Sequence, residues 1–239
     1  MNIYHITFAP ETRTASLYFH GCNFRCKACI RRKGLQDVHL GPNQQNSETQ
    51  KLSFLDLWGV IDKLKTMDVR RVILLGGEPT IDPELSDLTR ILHADLNTYN
   101  ILLTNGHNLP DLEDVDEVQL SIKAYTDTIH QEFTGKSNAK VLKNFEGLYS
   151  QGVKLRSESI FIPGYIDLEE IEKIAEFISS MDPKIRYRID GYVPVPGMPW
   201  RRPKPEEVER AVTVAKGYLR NVSCLRGDED LRYEVLNIF

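Results

Sequence analysis

From Ser16 onward the chain alternates short apolar runs with longer amphipathic stretches. "SLYF" at 16–19 reads as a strand, and "LSFLDLWGVIDKLKTM" at 52–67 places Leu52, Leu55, Val60, Leu64 and Met67 at helical spacing. "RRVILL" at 70–75 is the next strand, and "DPELSDLTRILHA" at 82–94 is a helix opened by an Asp and Pro start signal. "YNILLT" at 99–104 and "EVQLSI" at 117–122 follow as strands with only a turn-rich segment between them. "NAKVLKNFEGLYSQG" at 138–152 is a helix closed by Gly152, and "KLRSESIFI" at 154–162 alternates as a strand. The helix "LEEIEKIAEFISSM" at 168–181, the strand "IRYRIDGY" at 185–192 and the helix "KPEEVERAVTVAKGYL" at 204–219 complete the series. The tail "VSCLRGDEDLRYEVLNIF" at 222–239 reads as a hairpin turning at "RGDE", and the polar "GPNQQNSETQ" at 41–50 reads as a surface loop.

Six strands, mostly separated by helices, predict an α/β fold with a parallel sheet. A complete eight-unit barrel takes about 250 residues, so six units in 239 predict a partial (β/α)6 TIM-like barrel with a C-terminal β-hairpin extension. The expected layout is a single domain over 1–239, with the barrel at about 15–218 and the hairpin at about 221–239. A doubly wound open sheet satisfies the same periodicity. The strand ends are more informative. "HGCNFRCKAC", "GGEP", "TNG", Lys123, "IPG" and "GYVP" close the six strands in turn. Ligands in parallel α/β folds sit at carboxyl ends of strands, so these six loaded ends point to one shared site.

Composition narrows the classes. Hydrophobic residues make up 41% and charged residues 27%, ordinary for a globular protein with its own core. A net charge of −4 argues against a dedicated nucleic-acid binder, and no apolar run reaches the roughly 20 residues that span a bilayer. The N-terminal "MNIYHITFAPETR" lacks a basic region followed by an apolar one, so a cytoplasmic location is expected. In that reducing setting, clustered cysteines bind metal more often than they pair with each other.

Three of the four cysteines do cluster, at Cys22, Cys26 and Cys29, in the spacing C-x3-C-x2-C. A structural zinc site wants a fourth ligand, for which Cys224, His20 and His39 are candidates. A cubane iron–sulfur cluster held by three thiolates instead leaves one iron open. The flank of Arg25, Lys27, Arg31, Arg32 and Lys33 can offset the negative charge of thiolate-bound iron, or can be a solvated loop. Only Cys224 remains beyond the triplet, so a second four-cysteine cluster is excluded; Cys224 reads as a small apolar strand residue. Gly76 and Gly77 suit a backbone that must approach a ligand closely.

The triplet followed by "LLGGEPT" resembles the radical S-adenosylmethionine (radical SAM) superfamily, and the resemblance covers almost the whole order of elements. It implies a [4Fe–4S] cluster on Cys22, Cys26 and Cys29, with SAM chelating the open iron. It also implies an external one-electron donor of the flavodoxin or ferredoxin type, and cleavage of SAM to a 5′-deoxyadenosyl radical that takes hydrogen from a substrate. By this resemblance the carbonyls of Gly76 and Gly77 accept from the SAM ammonium, with Glu78 adding charge assistance.

Within the superfamily the middle of the chain is similar to the glycyl-radical-enzyme activases. "SIKAYTDTIHQEFTGKSNAKVL" is similar to their "DLK…IH…GVSN" stretch, and "FIPGYID" to their "VVPGWSD". That match puts Lys123 where the family's lysine meets the SAM carboxylate, and Thr104 and Asn105 at a strand end near SAM. It also marks departures. Ser121 and Leu103 stand where the family has the aspartates of a cation site, and Ala28 replaces an aromatic residue. Glu158 replaces a strand-five arginine whose place Arg156 can take, and Val193 replaces a histidine near adenine. Activation of a protein or peptide is the leading expectation. A small-molecule or nucleotide substrate is the alternative, motivated by Arg31, Arg32, Arg186, Arg188, Arg201 and Arg202, which can pair phosphate or carboxylate groups. A non-catalytic zinc- or cluster-binding module is the third reading. "MPWRRPKP" at 198–205 is either a substrate lip or an inert connector.

Overall fold

The computed structural model describes residues 1–32, 34, 35, 37, 40, 52–227, 229 and 233–239. The candidate ligand His39, the flank residue Lys33 and the polar loop at 41–50 lie outside the described residues. A single sheet of nine strands runs β8-β7-β6-β5-β4-β3-β2-β1-β9 and is not closed. The six expected strands are present as β2 (Thr14–Phe19), β3 (Arg71–Gly76), β4 (Tyr99–Thr104), β5 (Glu117–Ser121), β6 (Leu155–Phe161) and β7 (Arg186–Gly191). They pair in parallel with their neighbours in chain order. Sequential order with no reversal removes the switch point that a doubly wound sheet requires, so the partial barrel is the architecture.

Three strands lie outside the expected series. β1 (Ile3–Ala9) is buried at all seven positions and lies antiparallel to β2. Buried on both faces, it has no alternation to read. The expected C-terminal hairpin does not form. β8 (Asn221–Leu225) joins the parallel sheet beside β7, while β9 (Leu236–Asn237) pairs antiparallel with β1 at the opposite edge. The physical reason is edge pairing: the end strands β7 and β1 each offer an unpaired ladder, and the two halves of the tail cover one each.

The helices pack on one face. α1 (Leu57–Lys65) and α2 (Leu85–Leu96) bury Val60, Ile61, Leu64, Leu88 and Leu92 against Ile6, Leu17, Val72 and Leu74 of β1 to β3. α1 begins five residues later than the periodicity suggested, because the Asp56 carboxylate caps it by accepting from the Gly59 amide at 2.7 Å. α3 (Asp127–Thr134) is short and polar, and its apolar spacing is too brief to register in the sequence. α4 (Ala139–Ser150), α5 (Leu168–Met181) and α6 (Pro205–Lys216) cover β5 to β8 through Val141, Phe145, Ile171, Ile174, Val208 and Ala211. Strand positions 118, 120, 187 and 189 point into this helix-side core. The alternate positions on β5 to β7, including Gln119, Ser121, Glu158, Arg188 and Asp190, therefore share the inner face. No helix among the described residues is long and apolar enough to cross a membrane.

Candidate active site at the carboxyl ends of the strands

Two strand ends, those of β2 and β3, are laced together by backbone hydrogen bonds. The Gly77 amide donates to the Phe19 carbonyl at 2.7 Å, and the Glu78 amide donates to the Gly21 carbonyl at 2.8 Å. Gly76 has φ +114°, and a Cβ there would lie 2.7 Å from the Phe19 nitrogen; at Gly77 it would fall on the Gly21 carbonyl oxygen. The glycines are thus required by the approach of one part of the chain to another, the end of β3 against the start of the cysteine loop.

Glu78 is 1% exposed, and its carboxylate is committed internally. Oε1 accepts from the Thr80 and Thr104 hydroxyls, both at 2.7 Å, and from the Thr80 amide at 3.2 Å. Oε2 accepts from the Asn105 amide at 2.7 Å. Burial pushes the carboxyl above its ordinary range, while these donors pull it back. The side chain expected to assist a ligand also binds the β3 end to the β4 end.

Asn105, 7% exposed, extends this lacing to the cysteines. Its Nδ2 donates to Asn23 Oδ1 at 2.7 Å and lies 3.7 Å from Cys22 Sγ, while its Oδ1 accepts from the His107 amide at 3.0 Å. The Phe24 amide also donates to Cys22 Sγ, at 3.3 Å. Cys22 is exposed, Cys26 and Cys29 are half-buried, and all three are free thiols. Their loop is docked on the end of α3: the Arg25 and Lys27 amides donate to the Thr134 and Phe133 carbonyls at 2.8 and 2.9 Å, and Lys27 pairs with Glu132 at 2.7 Å.

Much of the basic flank folds back on the loop itself. Arg31 donates to the Leu35 carbonyl at 2.9 Å and sits 4.8 Å from the Tyr18 ring centroid, and Arg32 donates to the Lys27 carbonyl at 2.8 Å. Of the other arginines expected to meet anions, Arg201 pairs with Glu207 at 2.6 Å and Arg202 donates to the Gly227 carbonyl at 2.9 Å. These commitments remove most of the support for an anion-binding surface.

On the inner face, Lys123 donates to Ser121 Oγ at 2.5 Å. Burial pushes the Cys26 thiol up to about 12, and the Lys123 ammonium is the strongest opposing influence, so the two lie within electrostatic reach. Below them Arg188 pairs with Glu158 at 2.6 Å and with Asp190 at 2.7 Å, and Gln119 hydrogen-bonds Glu158. Burial pushes Asp190 up to about 6, opposed by Arg188. Arg156 does not join this group. It is the second residue of β6, level with Gln119, and pairs with Glu117, the first residue of β5, toward the amino ends of the strands. The guanidinium level with Glu158 comes from Arg188, its register neighbour on β7.

A dry wall completes the mouth. Ala28 is buried with Phe133, Ile162, Ile166, Tyr192 and Val195, and Cys26 packs against the same group. Tyr165 stacks on Trp200 with ring centroids 4.7 Å apart and planes 18° apart. Trp200 belongs to the "MPWRRPKP" stretch, so that stretch is an anchored lip. Val193, half-buried, follows the end of β7 beside this wall. Tyr165, Tyr192 and Trp200 were missed by residue-type reasoning; the one sequence signal for them is aromatic residues inside Pro- and Gly-rich strand-end loops.

The donor set discriminates between the two inorganic centres. A structural zinc site needs a fourth ligand beside the three cysteines. Cys224 packs on the helix-side core, and the His20 ring lies against Tyr4 and Phe54, so neither approaches as a fourth ligand. A cubane takes each thiolate on a separate iron, and the surrounding N–H donors suit its charge. The buried Asn23 Nδ2 is without a partner among the described residues, a donor placed for an acceptor beside Cys22. The residues fit a [4Fe–4S] cluster.

The comparisons with known proteins agree. The model of the radical SAM superfamily matches residues 16–178. A Methanocaldococcus jannaschii protein named "Putative glycyl-radical enzyme activating enzyme MJ1632" is 34% identical over 94% of this chain and 84% of its own length. Among solved structures, Streptococcus suis SuiB bound to S-adenosylmethionine superposes with a TM-score of 0.64 at 16% identity, covering 92% of this chain and 47% of that one. A domain of pyruvate-formate lyase-activating enzyme from Bacteroides vulgatus superposes with a TM-score of 0.54 at 20% identity, covering 64% of this chain and 97% of that one. At these identities the two structures speak for the fold, and the chain spans about half of SuiB. Motifs, fold and matches converge: this chain belongs to the radical SAM superfamily, enzymes that work with a [4Fe–4S] cluster and SAM.

Proposed function

We propose that this enzyme activates a protein partner by taking hydrogen from a glycine of its backbone, in the manner of a glycyl-radical-enzyme activase. The observation that carries the reading is 34% identity along 94% of the chain to a relative bearing that name. In this reading Cys22, Cys26 and Cys29 hold the cluster. When bound, cluster and SAM supply one-electron cleavage of the sulfonium and removal of a hydrogen atom from the substrate.

The chain's own residues then bind, orient and keep dry. Gly76 and Gly77 present backbone carbonyls to the SAM ammonium, and Glu78 fixes Thr104 and Asn105 beside it. Lys123, steadied by Ser121, meets the SAM carboxylate. Arg188, held by Glu158 and Asp190, takes the role first assigned to Arg156 on the inner face. Ala28, Val193 and the aromatic wall border the nucleoside end. An external one-electron donor of the flavodoxin or ferredoxin type and a cytoplasmic location belong to the same reading.

The test is anaerobic reconstitution with reductant, SAM and a glycyl radical enzyme from the same cell. A glycine-centred EPR doublet on the partner supports the proposal. SAM cleavage with no such doublet on any cellular glycyl radical enzyme removes it.

A further inference from the structure

The Asn105 side chain holds its position for a reason that backbone lacing does not require. Its Oδ1 is occupied by the His107 amide at 3.0 Å, and its own amide is held by Glu78 Oε2 at 2.7 Å. With the oxygen taken, the NH2 group faces the cysteine loop, where one N–H meets Asn23 Oδ1 at 2.7 Å and Cys22 Sγ lies 3.7 Å away, within range of an N–H···S bond. The carboxamide is 7% exposed, so water competes little for its protons.

Resting on the reading that Cys22 ligates the cluster, we propose that Asn105 is a positioning residue that sets the cluster's reduction potential through an N–H···S hydrogen bond to Cys22. Reduction adds one negative charge to the cluster and its thiolates, and an N–H dipole aimed at a sulfur stabilises the more negative state. Asn105 therefore raises the midpoint potential and makes the cluster easier to reduce. Because the same residue directly follows β4, it ties the loop beside SAM to one particular cluster ligand, and through Glu78 to the β3 end as well.

The test is an EPR-monitored redox titration, without SAM, of anaerobically reconstituted wild type, Asn105→Ala and Asn105→Asp. The aspartate keeps the acceptor for the His107 amide and removes the donor to sulfur. The expected result is four irons per chain in each protein and a midpoint shifted to more negative potential in both variants. Variants with full clusters and an unchanged midpoint overturn the proposal. A second measurement serves if a variant loses its cluster: pulsed EPR of the reduced wild type labelled with 15N in asparagine side chains. Coupling to a side-chain 15N is expected, and its absence overturns the proposal. A wild type that assembles no four-iron cluster refutes the underlying reading instead, so the two failures are distinguishable.

Discussion

The Glu78 carboxylate accepts a hydrogen bond from the Asn105 backbone amide at 2.7 Å, fastening the end of β3 to the end of β4 deep beneath the cysteine loop. Both partners are almost wholly buried, so the bond cannot be exchanged for water. Replacing Glu78 by Gln sets an NH2 group or loses an acceptor where two hydroxyls and two amides now donate. Glu78→Gln is expected to cost about 1–3 kcal/mol. Urea denaturation checks this: the midpoint should fall with an unchanged slope.

Gly77 has no room for a side chain, because a Cβ would fall on the Gly21 carbonyl oxygen. Gly77→Ala is expected to push the cysteine loop away from the β3 end and to lower iron retained per chain after anaerobic reconstitution. Gly164→Ala is the control. Its φ of +76° carries backbone strain of about 1 kcal/mol, but nothing lies within 4 Å of the added carbon. Its iron content should match wild type.

Asp190 makes stability depend on pH. Its folded carboxyl titrates near 6 because burial disfavours the anion, against an ordinary value of 3.8. The folded state therefore holds the proton more tightly than the unfolded chain. This contribution is complete below pH 3.8 and is lost as pH rises through about 6. Wild type should lose on the order of 1–2 kcal/mol relative to Asp190→Asn across that window, after allowance for solvent screening and the Arg188 pair. Denaturation of both proteins at a series of pH values, at fixed ionic strength, checks the sign.

Trp200 anchors the lip after β7 by stacking on Tyr165. Trp200→Ala is expected to cost about 1–3 kcal/mol, the stacking energy plus lost apolar burial. Limited proteolysis should then cut within 194–204 at a protease level that leaves wild type intact.

Much of the frame was legible in the sequence because β2 to β7 and their helices alternate in period. Where burial is complete, as along β1, or polar residues fill a short helix, as in α3, the period disappears. The tail failed for a different reason. Apolar runs around a turn signal read as a hairpin, but pairing partners are chosen by which sheet edges remain open, and that is a property of the finished sheet. At the site, the cysteines, glycines and Lys123 were legible from residue type at strand ends. The roles of Glu78 and Arg156 were not, because each is decided by a partner distant in sequence, Asn105 for one and Glu117 for the other. The aromatic wall was hidden in loops that carry no periodicity.

The most direct measurement is iron and sulfide analysis with EPR of the anaerobically reconstituted, reduced protein, before and after SAM is added. The expected result is four irons per chain, a [4Fe–4S]+ signal that changes on addition of SAM, and 5′-deoxyadenosine in the mixture, with all three lost in Cys22→Ala. A fully loaded four-iron protein whose signal ignores SAM and which releases no 5′-deoxyadenosine would contradict the account.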